Sequence, residues 1–214
     1  MKPRFSSGLL DRAVQKRDAW LFVCALEGEE TGEEFIYFQA LERNRLVDCT
    51  RVKIHLLPGA GDSSPEHVFE RIAAFHEEYV PRTDRDQCWL VLDRDRWTTD
   101  SLATVAKKAH HQGYLLAVSN PCFELWLLLH ETGDLGFLED VHPAKRSQAT
   151  KRKIGELRAA ISDRLPITLE GIHMARKLAR VLDIRPRERW PNKTGTRVYR
   201  LIDALVSAGV LASS

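Results

Sequence analysis

The sequence predicts a mixed α/β fold with a mostly parallel sheet flanked by helices, followed by a helical C-terminal region. Short apolar segments of strand length alternate with helical patterns up to about residue 131, and from about Gly133 onward the strand pattern stops. A chain of 214 residues is long enough for one α/β domain with an appendage, or for two small domains.

The first two strand and helix pairs follow from apolar patterning. Residues 20–26 (WLFVCAL) form a continuous apolar run of strand length, and residues 32–44 carry apolar side chains at helical spacing. Residues 50–57 alternate as a strand does. Residues 64–79 predict a helix, because a serine is followed by a proline at the favoured first helical position.

Two further pairs complete the predicted sheet. Residues 87–92 (QCWLVL) and 113–118 (GYLLAV) have the composition of buried strands, and residues 100–112 and 122–131 have helical patterns. Strands that alternate with helices imply right-handed crossovers, and therefore parallel strands covered on both faces.

The C-terminal region shows helical patterns at residues 147–165, 168–182 and 195–209. We therefore expect an α/β catalytic core over residues 1–135, with a helical region over residues 136–214 packed on or beside it.

Composition narrows the class of protein. Hydrophobic residues make up 43% of the chain and charged residues 29%, which is ordinary for a folded globular protein. No apolar run is long enough to span a bilayer, so no membrane role is expected. The four cysteines form no C-x-x-C pair, which indicates reduced thiols in the cytoplasm rather than disulfides or zinc ligands.

The two parts of the chain carry opposite charge. Residues 1–139 contain 16 Lys and Arg against 23 Asp and Glu, a net charge of −7, whereas residues 140–214 contain 16 against 7, a net charge of +9. A basic segment is typical of proteins that bind nucleic acid. The alternative is a solvated helical surface docked on an acidic neighbour.

Acidic residues follow three of the predicted strands. Glu27 follows the first strand, Asp93 and Asp95 follow the third, and Glu124 lies in the first turn of the helix after the fourth. In a parallel sheet the carboxyl ends of the strands meet at one edge, where ligands bind near the reversal of strand order. Converging carboxylates without nearby His or Cys favour Mg²⁺ or Mn²⁺.

Each of these residues alone has a simpler interpretation. An Asp after a strand is a common turn residue, and Gly28 fits a tight turn. Glu124 suits a helix N-terminus, with Asn120 as the cap and Pro121 as the first helical residue. The coincidence at three strand ends favours the metal site.

Three segments, CALEGEETGEEFIYFQAL, CWLVLDRDRW and LLAVSNPCFELWLLLHE, resemble in order and spacing the RloB family, a Toprim-like group similar to the OLD-family nucleases. The resemblance covers about residues 20–131 and extends more weakly to the end. It implies a Toprim-like (Rossmann-like) fold, in which Glu27 matches the Glu after the first strand, Asp93 and Asp95 match the D-x-D after the third, and Glu124 matches an acidic residue of related nucleases.

The chain departs from the family at one place. The family pattern C-E-G-E-x-T-E is interrupted by two residues between Cys24 and Glu27, and Gly32 stands where the family has its later Glu. We expect Glu33 to replace it.

The resemblance implies a metal-dependent endonuclease that cleaves RNA or DNA, with tRNA as a possible substrate, in bacterial antiviral defence beside a partner ATPase. Glu27, Asp93 and Asp95 would hold Mg²⁺ or Mn²⁺, and a second ion would use Glu124 with Glu29 or Glu33. The candidate nucleic-acid contacts are Arg94, Arg96, Lys145, Arg146, Lys151, Lys193 and Arg197.

Other functions remain open from the sequence. The main alternative is a non-catalytic nucleic-acid-binding effector that docks on a larger complex. A nucleotide-sugar transferase also uses D-x-D for a divalent ion, but the sequence shows no resemblance to a sugar pocket. An aspartyl phosphatase is less favoured, because its D-x-D follows the first strand.

Overall fold

The structure is a computed structural model, and it describes residues 19–82, 84–161 and 166–209. The strands are β1 (Trp20–Leu26), β2 (Val52–Leu57), β3 (Gln87–Asp93), β4 (Leu115–Asn120) and β5 (Gly195–Thr196). The α-helices are α1 (Glu33–Arg43), α2 (Pro65–Glu78), α3 (Thr99–His111), α4 (Glu124–Leu128), α5 (Arg146–Ile161), α6 (Leu169–Leu182) and α7 (Val198–Ser207). Short 3₁₀ turns lie at Gly136–Leu138 and Pro143–Lys145.

All five strands form one sheet in the order β2-β1-β3-β4-β5. The first four strands pair in parallel, and β5 pairs antiparallel with β4. The predicted mostly parallel sheet is therefore confirmed. The chain leaves β1 toward β2 on one side and returns to β3 on the other, so the reversal of strand order lies between β1 and β3.

Helices cover both faces of the sheet. Along β1, Phe22 and Cys24 belong to one buried cluster, and Val23 and Ala25 belong to the other, as the two-residue period of a strand requires. The first cluster includes side chains of α1, α4, α5, α6 and α7, and the second includes side chains of α2 and α3. The C-terminal helices thus bury their apolar faces on the same core as β1.

Side-chain caps fix the starts of three helices. Ser64 Oγ accepts from the His67 N–H at 3.3 Å, Thr98 Oγ1 accepts from the Ser101 N–H at 3.2 Å, and Thr168 Oγ1 accepts from the Gly171 N–H at 3.0 Å. Such bonds satisfy amide groups that a helix leaves without a partner in its first turn. The sequence signal at residues 64–65 is confirmed, because Pro65 is the first residue of α2.

The expected start of the helix after β4 is wrong. Asn120 belongs to β4 and pairs with Gly195, its side-chain amide donates to the Pro191 carbonyl at 3.0 Å, and its peptide bond to Pro121 is cis. The helix begins at Glu124, with Phe123 at the N-cap position. Asn120 therefore does not cap the helix, because its backbone and side chain are engaged with the C-terminal segment.

The expectation that strands end before residue 133 is also wrong, because residues 195–196 form β5. Its attachment to β4 includes a hydrogen bond of 2.8 Å between the Ser119 and Thr196 hydroxyls, both buried. A two-residue strand is too short for a periodic pattern to indicate it. In the preceding helices, residues 162–165 of the expected helix at 147–165 lie outside the described residues.

All four cysteines are free, and Cys24, Cys88 and Cys122 are buried, whereas Cys49 is exposed. Burial raises the pKa of the Cys88 thiol to about 12. The thiol of Cys88 therefore stays protonated at neutral pH. In the part of the chain that the structure describes, no helix combines the length and apolarity needed to cross a membrane.

Candidate functional site

The candidate site lies at the carboxyl ends of β1, β3 and β4, where the strand order reverses. Leu26, the last residue of β1, is aligned with Val91 of β3, and the Glu27 N–H donates to the Val91 carbonyl at 3.2 Å. Asp93 is the last residue of β3, and Glu124 is the first residue of α4 after β4. Strand pairing therefore brings together residues that are far apart in sequence.

Glu27 connects the end of β1 to the segment that follows β3. Its Oε2 atom accepts from the Asp93 N–H at 2.9 Å, and its Oε1 atom accepts from the Trp97 indole N–H at 3.2 Å. Only 5% of Glu27 is exposed. Burial raises the pKa of Glu27, although these two bonds and the charge of Arg96 act in the opposite direction.

Glu34 in the first turn of α1 is the site residue that the sequence analysis missed. It is buried, and burial, together with the charges of Glu124 and Glu27, raises its pKa to about 7. Its carboxylate lies over Gly28, where an added Cβ would be 2.6 Å from Glu34 Oε2. A side chain at position 28 would therefore have to displace the Glu34 carboxylate.

Asp93 carries the most perturbed carboxyl group of the site. Burial raises its pKa well above the ordinary value, and the charges of Glu34, Glu27, Glu124 and Asp95 raise it further. These five residues, hereafter the acidic cluster, are therefore close enough to interact electrostatically. The predicted convergence of Glu27, Asp93, Asp95 and Glu124 agrees with this arrangement.

Glu124 has one oxygen toward a cation and one without a partner. Its Oε1 atom is 3.7 Å from Lys151 Nζ, whereas its Oε2 atom is buried and accepts no hydrogen bond from the described residues. Burial lowers the pKa of Lys151, but Glu124, Asp93 and Asp95 are among the groups that raise it, and the net shift is upward. Lys151 thus provides a cation of the basic C-terminal region to the acidic cluster.

The D-R-D-R segment forms a loop beyond β3. The Arg94 and Asp95 amides donate to the carbonyls of Ser119 and Pro121 at 2.9 and 3.1 Å, which ties the loop to the end of β4. Asp95 and Arg96 are exposed, and Arg94 contacts the Thr99 hydroxyl at 3.4 Å. The loop therefore presents charges of both signs at the site.

Glu29 and Glu33 stand apart from the acidic cluster. Both carboxylate oxygens of Glu33 accept from Arg158, each at 2.6 Å, and Glu29 is exposed in the loop before α1. Glu34 is the residue whose carboxyl interacts with Glu27 and Glu124. The structure therefore favours Glu34, rather than Glu33, as the second acidic position.

The other predicted nucleic-acid contacts are dispersed. Lys145 and Lys193 are exposed, and Arg146 is half-buried with bonds to the Val141 carbonyl and the Thr194 hydroxyl. Arg197 does not fit the prediction, because it is 2% exposed and its guanidinium donates to both oxygens of Asp183, at 3.1 and 3.0 Å.

Arg71 is a cation near the site that could not be identified from the sequence. Arg71 on α2 donates from Nη2 to the Leu26 carbonyl, and its Nε atom is buried without a partner among the described residues. The charge of Glu27 acts on Arg71, which places the guanidinium near the carboxylate. No motif marks Arg71, because it reaches the site through the crossover from β2.

The side chains of the acidic cluster suit a hard divalent cation. Within the described residues, no three His, Cys, Asp or Glu side chains already surround one point as metal ligands. The donor set is nevertheless all carboxylate, which Mg²⁺ and Mn²⁺ prefer, and the unpartnered Glu124 Oε2 is an oxygen available for ligation. A cation would offset the repulsion that raises the pKa of Glu34 and Asp93.

A protein-family model described as RloB-like protein matches residues 22–205. The match includes the acidic cluster and all of the sheet and C-terminal helices except the first two residues of β1 and the last two of α7. Neither the curated proteins nor the solved structures contain a match to this chain.

Proposed function

Because the chain belongs to the RloB-like protein family, we propose that it is a divalent-metal-dependent endonuclease that cleaves phosphodiester bonds of RNA or DNA. The observation that carries the proposal is the acidic cluster at the reversal of strand order in a parallel sheet, where Glu27, Glu34 and Asp93 are buried. Perturbed carboxyl groups that share such a position are typical of catalytic sites.

Asp93, Glu34 and Glu124 are the proposed principal ligands, with Asp95 as an exposed additional one. Glu27 retains the capacity to contribute, because each carboxylate oxygen accepts more than one interaction. When bound, Mg²⁺ or Mn²⁺ supplies Lewis-acid stabilisation of the phosphoryl oxygens and a more acidic water. Glu27 also positions the Asp93 backbone through their hydrogen bond of 2.9 Å.

The cations around the acidic cluster support a phosphate-containing substrate. Lys151 approaches from α5, Arg71 from α2, and Arg94 and Arg96 from the loop after β3. Cations from three parts of the chain offset the repulsion between a phosphate and the acidic side chains. Lys145 and Lys193 remain proposed contacts for more distant phosphates.

The biological role is proposed from the family resemblance described in the sequence analysis. We propose that cleavage of host nucleic acid, such as tRNA, serves a bacterial antiviral response, with an ATPase as partner. A fold supports many functions, so this proposal stands apart from the chemistry of the site.

Incubation of the purified full chain with Mg²⁺ or Mn²⁺ and with tRNA, single-stranded RNA and duplex DNA tests the nuclease proposal. We expect cleavage of at least one substrate, and loss of cleavage in Asp93→Asn and Glu124→Gln. Glu77→Gln removes an exposed carboxylate from α2 and is the matched control, with activity equal to the unmodified chain. Equal cleavage by Asp93→Asn would overturn the assignment.

A second candidate function is a nucleic-acid-binding effector without catalysis. The observation that favours it is that both Glu27 oxygens already accept hydrogen bonds, as in a structural carboxylate. Isothermal titration with Mn²⁺ separates the two functions. If the chain is a nuclease, it should bind Mn²⁺, and Asp93→Asn should abolish that binding. If it is a non-catalytic effector, it should bind nucleic acid but show no Mn²⁺ binding that depends on Asp93.

A further inference from the structure

A cavity of about 240 Å³ lies beside the acidic cluster, between α1, the end of α4 and residues 166–167. Ile36, Ala40 and Leu127 contribute apolar surface to it. Its volume and largely apolar lining suit a single planar group rather than a polymer segment.

Buried polar atoms without partners are concentrated around this cavity. Tyr37 and His130 line it and are 1% and 6% exposed. His130 Nε2 has no hydrogen-bond partner among the described residues, and the Tyr37 hydroxyl, which lies beside the Trp126 indole N–H, has no acceptor for its own proton among them. The Nε atom of Arg158, another lining residue, is also without one. Buried polar atoms without partners are costly, which indicates that a ligand supplies the missing bonds.

The two ring side chains provide neutral hydrogen-bonding groups. Burial lowers the pKa of His130 to about 4, so its imidazole is neutral at pH 7 with one donor and one acceptor nitrogen. The Tyr37 hydroxyl is both a donor and an acceptor. The rings of Tyr37 and His130 meet edge to face, with centroids 5.5 Å apart, so each holds the orientation of the other.

The cavity continues toward the acidic cluster. Tyr37 lines it, and Glu34 of the cluster lies three residues earlier on the same buried face of α1. Arg158 also lines it, and the charge of Glu124 contributes to raising the Arg158 pKa after the larger effect of Glu33. A ligand in the cavity would therefore lie along the face of α1 that carries Glu34.

We propose that this cavity binds one nucleobase of the substrate, taken out of its stack, so that the adjoining phosphate lies at the acidic cluster. This inference rests on the proposed function and specifies its substrate as a single-stranded or unpaired nucleotide. The apolar surfaces receive the faces of the base, and Tyr37 and His130 bind its polar edge.

Two other ligand classes fit less well. A purely apolar ligand would leave the Tyr37 and His130 polar atoms without partners. A free phosphate or other anion would compete with Glu33 for Arg158, which donates two bonds of 2.6 Å to Glu33, and would have only Arg43 as a further cation in the lining. A neutral planar ring with hydrogen-bonding edges would bond to Tyr37 and His130 and leave the pair of Glu33 and Arg158 intact.

Titration of the full chain with each of the four nucleoside 5′-monophosphates, in EDTA and followed by NMR, tests the inference without any need for catalysis. We expect saturable binding of at least one nucleotide. Ala40→Phe should weaken this binding at least about tenfold by filling the cavity. Ala74→Phe, at an exposed position of α2, is the matched control and should leave binding unchanged.

A second pair of variants tests the hydrogen bonds without filling space. Tyr37→Phe should weaken nucleotide binding about tenfold and leave thermal unfolding unchanged. Tyr114→Phe removes a hydroxyl on the opposite face of the sheet, bonded to His76 at 2.9 Å, and should leave nucleotide binding unchanged.

The outcomes separate this inference from the nuclease proposal. No saturable binding at about 10 mM of any nucleotide, or binding that Ala40→Phe leaves intact, would overturn the base pocket. If Ala40→Phe also cleaves single strands as fast as the unmodified chain, the nuclease stands without this pocket. If nucleotides bind as expected but no substrate is cut with Mg²⁺ or Mn²⁺, the nuclease proposal fails and a nucleotide-binding pocket remains.

Discussion

The carboxylate of Glu27 accepts a hydrogen bond of 2.9 Å from the backbone N–H of Asp93. The first acidic residue of the site therefore holds the backbone of the third strand at the residue whose own carboxyl is most perturbed. Glu27 therefore stabilises the sheet as well as belonging to the acidic cluster.

Removing the Glu27 acceptor should destabilise the fold. In Glu27→Ala the buried Asp93 N–H and the Trp97 indole N–H lose their acceptor, whereas Glu27→Gln keeps one acceptor oxygen. We expect the alanine variant to unfold with a free energy about 1–3 kcal/mol below that of the glutamine variant, measured in urea at pH 7. Glu30→Ala, at an exposed position, is the control. Equal stability of the two Glu27 variants would contradict the structural role.

Glu34 should make the metal-free chain less stable as the pH rises. Its pKa is raised from 4.5 to about 7, so the folded chain holds this proton more tightly than the unfolded chain does. The stabilisation is complete below about pH 4.5 and is lost as the pH rises toward 7. The loss is about 3 kcal/mol at most, at about 1.4 kcal/mol for each pKa unit.

Urea unfolding in EDTA between pH 5 and pH 8 measures this effect. We expect Glu34→Gln to show a smaller fall than the unmodified chain and to be the more stable of the two at pH 8. Glu77→Gln, with its exposed carboxylate, should follow the unmodified chain. Parallel pH curves for Glu34→Gln and the unmodified chain would exclude the raised pKa.

A divalent ion should reverse this loss of stability. Because the carboxyls of the acidic cluster must release protons to bind a cation, Mg²⁺ or Mn²⁺ should raise the thermal midpoint more at pH 8 than at pH 5. At about one hundred times the dissociation constant the gain in unfolding free energy is about 2.7 kcal/mol. Asp93→Asn should abolish the gain, and an equal response to metal in this variant would place the ion elsewhere.

Lys151 should contribute one phosphate contact to nucleic-acid binding. We expect Lys151→Ala to reduce the slope of log affinity against log salt by about 0.7 for a single strand. Lys153→Ala is the matched control on the same helix, because Lys153 pairs with Glu156 at 3.8 Å instead of reaching the acidic cluster. A fluorescence anisotropy titration at several salt concentrations measures both slopes, and identical slopes would remove Lys151 from the interface.

Arg197 should matter for stability and not for nucleic-acid contact. Arg197→Leu leaves Asp183 buried beside fewer donors, because the guanidinium bonds at 3.1 and 3.0 Å are lost. We expect a loss of about 3–5 kcal/mol in urea unfolding. Lys193→Ala, at an exposed position four residues before Arg197, should change stability by less than about 0.5 kcal/mol. A fully stable Arg197→Leu would contradict the buried pair.

Most of the sheet and its helices could be predicted from the sequence, because each element has its own local signal. The strand at residues 20–26 is a continuous apolar run, and the helix at Pro65 has a cap and a proline. The start of α4 and the strand β5 could not be predicted, because both depend on pairing between Asn120 and Gly195. Such long-range contacts leave no periodic pattern in either segment.

Some residues of the candidate site could likewise be predicted from the sequence, and one could not. Glu27, Asp93 and Glu124 were identifiable because each stands at the end of an apolar strand or at the start of the next helix. Glu34 was not, because Glu33 and Glu34 are equivalent in sequence and only the rotation of α1 distinguishes them. The close contact between Glu34 and Gly28 identifies Glu34 as the site residue, and this contact is visible only in the folded structure.

The edge strand β5 has a consequence for the order of synthesis. Ser119 and Thr196 are 77 residues apart. During synthesis, β4 is therefore made well before β5, and its outer edge has no partner while the intervening helices are made. Uncovered strand edges invite pairing with other chains. A nascent chain that stalls before residue 195 would therefore leave the edge of β4 at Ser119 and Asn120 open to other chains, and the arrival of β5 closes it.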